Sequence, residues 1–191
     1  MEDIPKSKKE IKRIKTYIEG FDENLEGGIP ESHIVLVSGT TGTMKSSVAF
    51  NVLYNEVLRG EVGMYITLEQ SYHSLLKHMT NMEFDLSKIN LVALSDISKV
   101  DESIKGLKGR KGSLIITDLS SIRKKIKDAT LTSRSDWLNA IKNLTKKVKD
   151  GTNCKLLVLD SLSALYVLSR FEEPRAKLFF IFEFLRDLEL T

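Results

Sequence analysis

His33-Ile34-Val35-Leu36-Val37-Ser38-Gly39-Thr40-Thr41-Gly42-Thr43-Met44-Lys45-Ser46-Ser47 decides the reading of the fold. Ile34 to Val37 is a continuous apolar run rich in β-branched residues, the composition of a strand buried on both faces. Two glycines and several hydroxylated residues follow. Lys45-Ser46 then open a helical pattern in which Val48, Val52, Leu53 and Val57 recur. Strand, glycine turn, Lys-Ser and helix are the layout of a phosphate-binding loop. Backbone N–H groups at a helix start point at one spot, and the helix dipole favours an anion there. In this reading Gly39, Thr40, Thr41, Gly42, Thr43, Met44, Lys45, Ser46 and Ser47 line a nucleotide site. Lys45 reaches the β- and γ-phosphates, and Ser46 offers its hydroxyl to Mg2+.

The usual pattern is G-x-x-x-x-G-K-[ST], and Met44 stands where its second glycine is expected. If the loop demands a positive φ there, the side chain costs about 1–2 kcal/mol. The competing interpretation is a plain strand-turn-helix connection, which gives no reason for Lys-Ser at this place.

Working outward, the 191 residues have the length of one domain and can bury a sizeable core. A net charge of +3 is too small to argue for nucleic acid. The single cysteine, Cys154, excludes an internal disulfide and fits a reducing cytosol. No apolar run is long enough to span a membrane, and the N-terminus lacks the apolar core of a signal peptide. The expected location is cytoplasmic.

Residues 1–17 are polar and lysine-rich and are expected to be flexible, ahead of a nucleotide-binding domain of residues 18–191. Ile18 to Pro30 reads as a short helix, a glycine turn and a proline leading toward the first strand. After the loop helix, which ends near Arg59-Gly60, Gly63 to Leu68 is a second buried strand. Glu69-Gln70 stand just past its carboxyl end, and Ser71 caps a helix from Tyr72 to Met79. Leu91 to Leu94 and Ser113 to Asp118 are further strand candidates, and Ile122 to Leu131 is basic and irregular. Ser135 caps a helix with Trp137, Ile141, Leu144 and Val148 on its apolar stripe and Lys142, Lys146, Lys147 and Lys149 on its wet face. Lys155 to Ser161 is another strand, ending in Asp160, and Pro174 starts the last helix. Alternating buried strands and amphipathic helices define an α/β domain with a mainly parallel sheet. Ligands of such sheets bind at the carboxyl ends of the strands, where Ser38-Gly39, Glu69 and Asp160 all fall. An apolar strand ending in Asp, downstream of a P-loop, looks like a Walker B element, with Asp160 holding Mg2+ through water. Glu69 fits either the water-positioning role in hydrolysis or a helix-start carboxylate facing the dipole.

The chain resembles the KaiC-like branch of the RecA superfamily of ATPases from about Ile18 to Leu188. The resemblance is carried by Gly20-Phe21-Asp22-Glu23 with Gly27-Gly28-Ile29-Pro30, by Leu36 to Thr43, by Tyr65-Ile66-Thr67-Leu68-Glu69 and by Leu157 to Leu165. It implies a P-loop NTPase fold, a RecA-like three-layer sandwich. It implies ATP or ADP as ligand with Mg2+ as cofactor. Lys45 and Ser46 match the P-loop residues, Asp160 the Walker B acid, and Glu69 the first of a pair of catalytic glutamates. For a complete domain the resemblance implies a homo-oligomer, a hexameric ring, with nucleotide at the subunit boundaries.

This sequence departs from the family pattern at Met44, at Gln70 where a second glutamate is usual, and at Ser32 where a glycine commonly precedes the first strand. The family's later strands, with their phosphate-sensing residue, would lie beyond Thr191. The expectation is therefore an exposed strand edge, association through the C-terminal region and slow turnover. The leading expectation is a regulatory or signalling ATPase module with slow Mg-dependent hydrolysis. The alternatives are a non-hydrolysing nucleotide-sensing module that acts on a protein partner, and a recombinase-like DNA-dependent ATPase suggested by the lysine-rich helix.

Overall fold

The structure, a computed structural model, describes residues 11–96, 99–107, 110–118, 121, 136–169 and 173–191. Two short strands, β1 (Arg13–Ile14) and β2 (Ile29–Pro30), pair antiparallel ahead of the main sheet, with helix α1 (Phe21–Asn24) between them. Gly28 makes this ribbon possible. Its φ is +125°, and a Cβ there would lie 2.2 Å from the Ile14 carbonyl oxygen. Asp22 ties the ribbon to α1 by accepting hydrogen bonds from the Thr16 N–H at 2.7 Å and the Thr16 hydroxyl at 2.8 Å. Residues 11–17 are thus engaged with the fold, where the sequence suggests a loose segment.

The main domain continues as α2 (Lys45–Leu58), β3 (Val62–Thr67), α3 (Tyr72–Asn81), β4 (Asn90–Leu94), α4 (Val100–Lys105) and β5 (Ser113–Asp118). It ends with α5 (Asp136–Thr152), β6 (Leu156–Asp160), α6 (Leu162–Ser169) and α7 (Pro174–Asp187). The expected Ser135 cap and the basic stretch Ile122 to Leu131 lie outside the described residues. Ser71 caps α3, its hydroxyl accepting from the Ser74 N–H at 3.2 Å. Among the described residues, no helix is long and apolar enough to cross a membrane.

Four strands pair in the order β4-β5-β3-β6, all parallel. Alternate residues face opposite layers. Tyr65, Leu114, Ile116 and Leu156 pack with Phe50, Leu53, Val57, Leu75 and Met79 of α2 and α3. Met64, Ile66 and Ile115 pack on the other side with Ile104, Ile141, Leu144, Val148, Leu165 and Ile181. Each such large apolar side chain contributes about 1.5–3 kcal/mol on burial. The result is a three-layer α/β sandwich. Register places Thr67 opposite both Asp118 and Asp160, so three strand ends finish level.

One element differs from the sequence reading. Ile34 to Val37 does not join the sheet, and Val35, Leu36 and Val37 are 51%, 69% and 43% exposed. A strand is buried only if a neighbour pairs its backbone and both faces are covered. Here the outer edge of β6 meets Thr191 instead. Thr191 donates its N–H to the Lys155 carbonyl at 3.0 Å and accepts from the Leu157 N–H at 2.8 Å. The Thr191 hydroxyl accepts in turn from the Ser32 N–H at 2.8 Å. The apolar run that leaves Ser32 therefore has no strand partner among the described residues.

Candidate functional site

The loop expected to cradle phosphate leads into α2 through Met44. Met44 is the residue before the helix and has φ +60° and ψ +24°, the left-handed region. The position does demand a positive φ, and a non-glycine residue fills it at a local cost of about 1–2 kcal/mol. Its side chain is exposed, so no core packing offsets that cost. Gly39 is needed for a different reason: a Cβ there would lie 2.6 Å from the Thr43 hydroxyl oxygen.

Two donors converge on one loop carbonyl. The Lys45 ammonium and the Thr43 hydroxyl each donate to the Thr40 oxygen at 2.8 Å. Lys45 thus lies across the loop on an exposed hydrogen bond that an anion can replace. Ser46 and Ser47 diverge. The Ser47 hydroxyl is buried and donates to the Met82 sulfur at 3.2 Å, whereas the Ser46 side chain lies near the hydroxyl of Tyr65.

Tyr65 links the loop to the second acid. Its O–H donates to Oδ2 of Asp160 at 2.7 Å. Parallel pairing of β3 with β6 sets this contact, with Tyr65 opposite Val158 and Thr67 opposite Asp160. Burial above all, and then the neighbouring charge of Asp160, push the Tyr65 pKa far above its ordinary value. The phenol therefore keeps its proton and acts as a donor. Glu69 lies two residues past β3, and its charge also reaches Tyr65. Its Oε1 accepts a hydrogen bond from the hydroxyl of Ser161, which follows Asp160 in the chain. Ser161 also accepts from the Ala164 N–H at 3.2 Å and so caps α6.

Ser46, Glu69 and Asp160, three of the residues singled out in the sequence, thus gather around Tyr65. Sequence reasoning missed Tyr65 and Ser161. The available signal was a phenol inside a fully buried strand, which must find a polar partner. Asp118, level with Asp160 in the sheet, is buried and serves the connections. Its carboxylate accepts from the Tyr72 N–H at 3.1 Å and from the Ser121 N–H at 2.9 Å.

The donor set suits a hard divalent cation. Ser46 and Asp160 supply oxygen, and Mg2+ is commonly held by one or two protein oxygens together with substrate phosphates and water. Among the described residues, no group of three His, Cys, Asp or Glu residues could hold a metal ion.

Known proteins resemble this chain in sequence and in fold. The family described as "ATPase: KaiC" matches residues 14–106. A UPF0273 protein of Pyrococcus furiosus is 33% identical over 82% of this chain and 57% of its own length. The circadian clock oscillator protein KaiC of Thermosynechococcus vestitus is 38% identical over 44% of this chain and 16% of its own length. The crystal structure of a KaiC-like protein from Pyrococcus horikoshii OT3 superposes with a TM-score of 0.62 at 26% identity, covering 95% of this chain and 70% of that one. The chain spans little more than half the length of the Pyrococcus furiosus relative. The three-layer parallel fold, the Lys-Ser loop and these similarities together make the chain similar to the KaiC-like ATPases of the RecA superfamily.

Proposed function

We propose that this domain binds Mg-ATP or Mg-ADP at Gly39 to Ser47 and hydrolyses ATP slowly, as a regulatory or signalling module in the cytoplasm. The observation that carries the proposal is the convergence of Ser46, at the start of α2, and Asp160, at the end of β6, on the hydroxyl of Tyr65.

In this reading the first N–H groups of α2 bind the phosphates together with the helix dipole. Lys45 exchanges the Thr40 carbonyl for phosphate oxygen and neutralises charge that develops during transfer. Ser46 and Asp160 would hold Mg2+ together with the phosphates, and the ion would supply neutralisation of phosphate charge there. Glu69 orients the attacking water, and Ser161 aims its carboxylate. Strain at Met44, and Gln70 in place of a second acid, favour slow turnover.

A second reading, a nucleotide sensor that does not hydrolyse, draws on the same two residues and on the engagement of Glu69 by Ser161. A DNA-dependent ATPase is less well supported. Lys147 pairs with Asp101 at 2.5 Å and Lys142 lies 5.2 Å from the Phe184 ring centre, so part of the lysine face is already engaged. Calorimetry tests binding: Lys45→Ala should lose most of its affinity for Mg-ADP, and unchanged affinity would remove the loop assignment. A steady-state ATPase assay with Glu69→Gln separates hydrolysis from sensing. Turnover that vanishes in the variant supports hydrolysis, whereas wild-type protein with no turnover supports the sensor.

A further inference from the structure

Tyr65 is fully buried in the central strand, with its ring 6.0 Å from that of Phe50. Packing explains the ring but not the hydroxyl, which a phenylalanine would omit without leaving a hole of consequence. A phenol has one proton and two lone pairs. The proton is given to Oδ2 of Asp160 at 2.7 Å. A carboxylate has two oxygens, so Oδ1 keeps its lone pairs for another partner. The bond joins β3 to the end of β6, close to Ser46 at the start of α2.

We infer that Tyr65 is a positioning residue for the metal site: its hydroxyl fixes the Asp160 carboxylate beside Ser46, so that the other Asp160 oxygen is presented toward a divalent cation. The inference rests on the nucleotide reading above and adds to it a residue that touches neither nucleotide nor metal. Without the phenol O–H, Asp160 loses the donor that sets its rotamer. Such outer partners of a metal ligand commonly govern affinity for the ion. The nucleotide contacts made by the loop backbone and Lys45 do not pass through Tyr65.

The test is Tyr65→Phe, which keeps the ring and its contact with Phe50. Fluorescent ADP is titrated first in EDTA and then at rising Mg2+ concentration. The expected result is unchanged metal-free affinity, with the Mg2+ requirement for tight binding raised roughly tenfold. Wild-type protein that binds no nucleotide would overturn the nucleotide reading and this inference with it. Wild-type protein that responds to Mg2+, beside a variant with the same Mg2+ requirement, would overturn the role of Tyr65 alone. Equal loss of affinity with and without Mg2+ would mark a packing role and also overturn it. A second measurement needs no variant. In wild-type protein with 13C-labelled tyrosine, adding Mg2+ to the ADP complex should shift the resonance of the Tyr65 ring carbon that bears oxygen. A resonance that does not move would sink the proposal.

Discussion

The Ser161 hydroxyl donates to Oε1 of Glu69, so the residue after the β6 acid holds the carboxylate beyond β3. One hydroxyl thereby orients Glu69 and caps α6 through the Ala164 N–H. Ser161→Ala should cost about 1 kcal/mol of stability through the lost cap. It should slow ATP turnover while leaving ADP affinity unchanged. Thermal unfolding checks the first effect, and turnover beside calorimetry the second. A variant that hydrolyses as fast as wild type would show that Glu69 needs no orientation from β6.

Met44 offers a cleaner experiment. Its left-handed backbone costs about 1–2 kcal/mol, part of which Met44→Gly recovers because glycine also gains freedom in the unfolded chain. The variant should bind nucleotide more tightly or turn it over faster. Met44→Val should do worse than wild type, because a β-branched residue suits that region least. A glycine variant both weaker and slower would show that the loop is adapted to methionine.

Cys154 should behave as a buried probe. Burial pushes its thiol up to about 12, and its sulfur donates to the Leu156 carbonyl at 3.3 Å. At pH 8 a thiol reagent should therefore react only as fast as the protein opens. The sign of the pH dependence follows from linkage. Above the ordinary thiol value of 9.0 the unfolded chain releases this proton while the folded one keeps it. Stability is fully present below that pH and should fall as pH rises toward 12. Denaturant titrations of wild type and Cys154→Ala across this range check it, since the alanine variant should lose this part of the slope.

Phe179 and Phe180 lie edge to face, 5.7 Å apart, and both are exposed on α7. Such adjacent apolar surface favours association. Replacing both with serine should lower light scattering at high protein concentration and leave the thermal midpoint nearly unchanged. Equal scattering by the two proteins would place association elsewhere.

Most of the fold can be read from local pattern. Val62 to Thr67, Ser113 to Asp118 and Leu156 to Asp160 are apolar runs between charged or turn residues, and each forms a strand where the pattern puts it. Of the candidate site, Ser46, Glu69 and Asp160 could be singled out in the sequence, because chemistry and spacing both mark them. Tyr65 was not, since in a buried strand its ring reads as core and only the register of β3 against β6 brings Asp160 to its hydroxyl. Ile34 to Val37 shows the converse. Its composition reports affinity for a buried place, whereas burial depends on which segment lies alongside. The pairing of Arg13–Ile14 with Ile29–Pro30 was hidden for a similar reason, being two residues long and made across a glycine turn.

The strand order also dictates when the sheet can come into being during synthesis. β3 and β4 emerge first, yet they are not neighbours, because β5 lies between them. A ribosome that has released Leu94 has therefore made two strands with nothing to pair. Ser113 to Asp118 then supplies partners to both at once, through Met64 with Ile115 and Val92 with Ile115. β5 is the keystone of the nascent domain, and the far edge of β3 stays open until Asp160 has been added. A slow codon just after Asp118 would let three strands assemble before the fourth arrives, whereas one just before Ser113 would hold two unpaired apolar segments in the open.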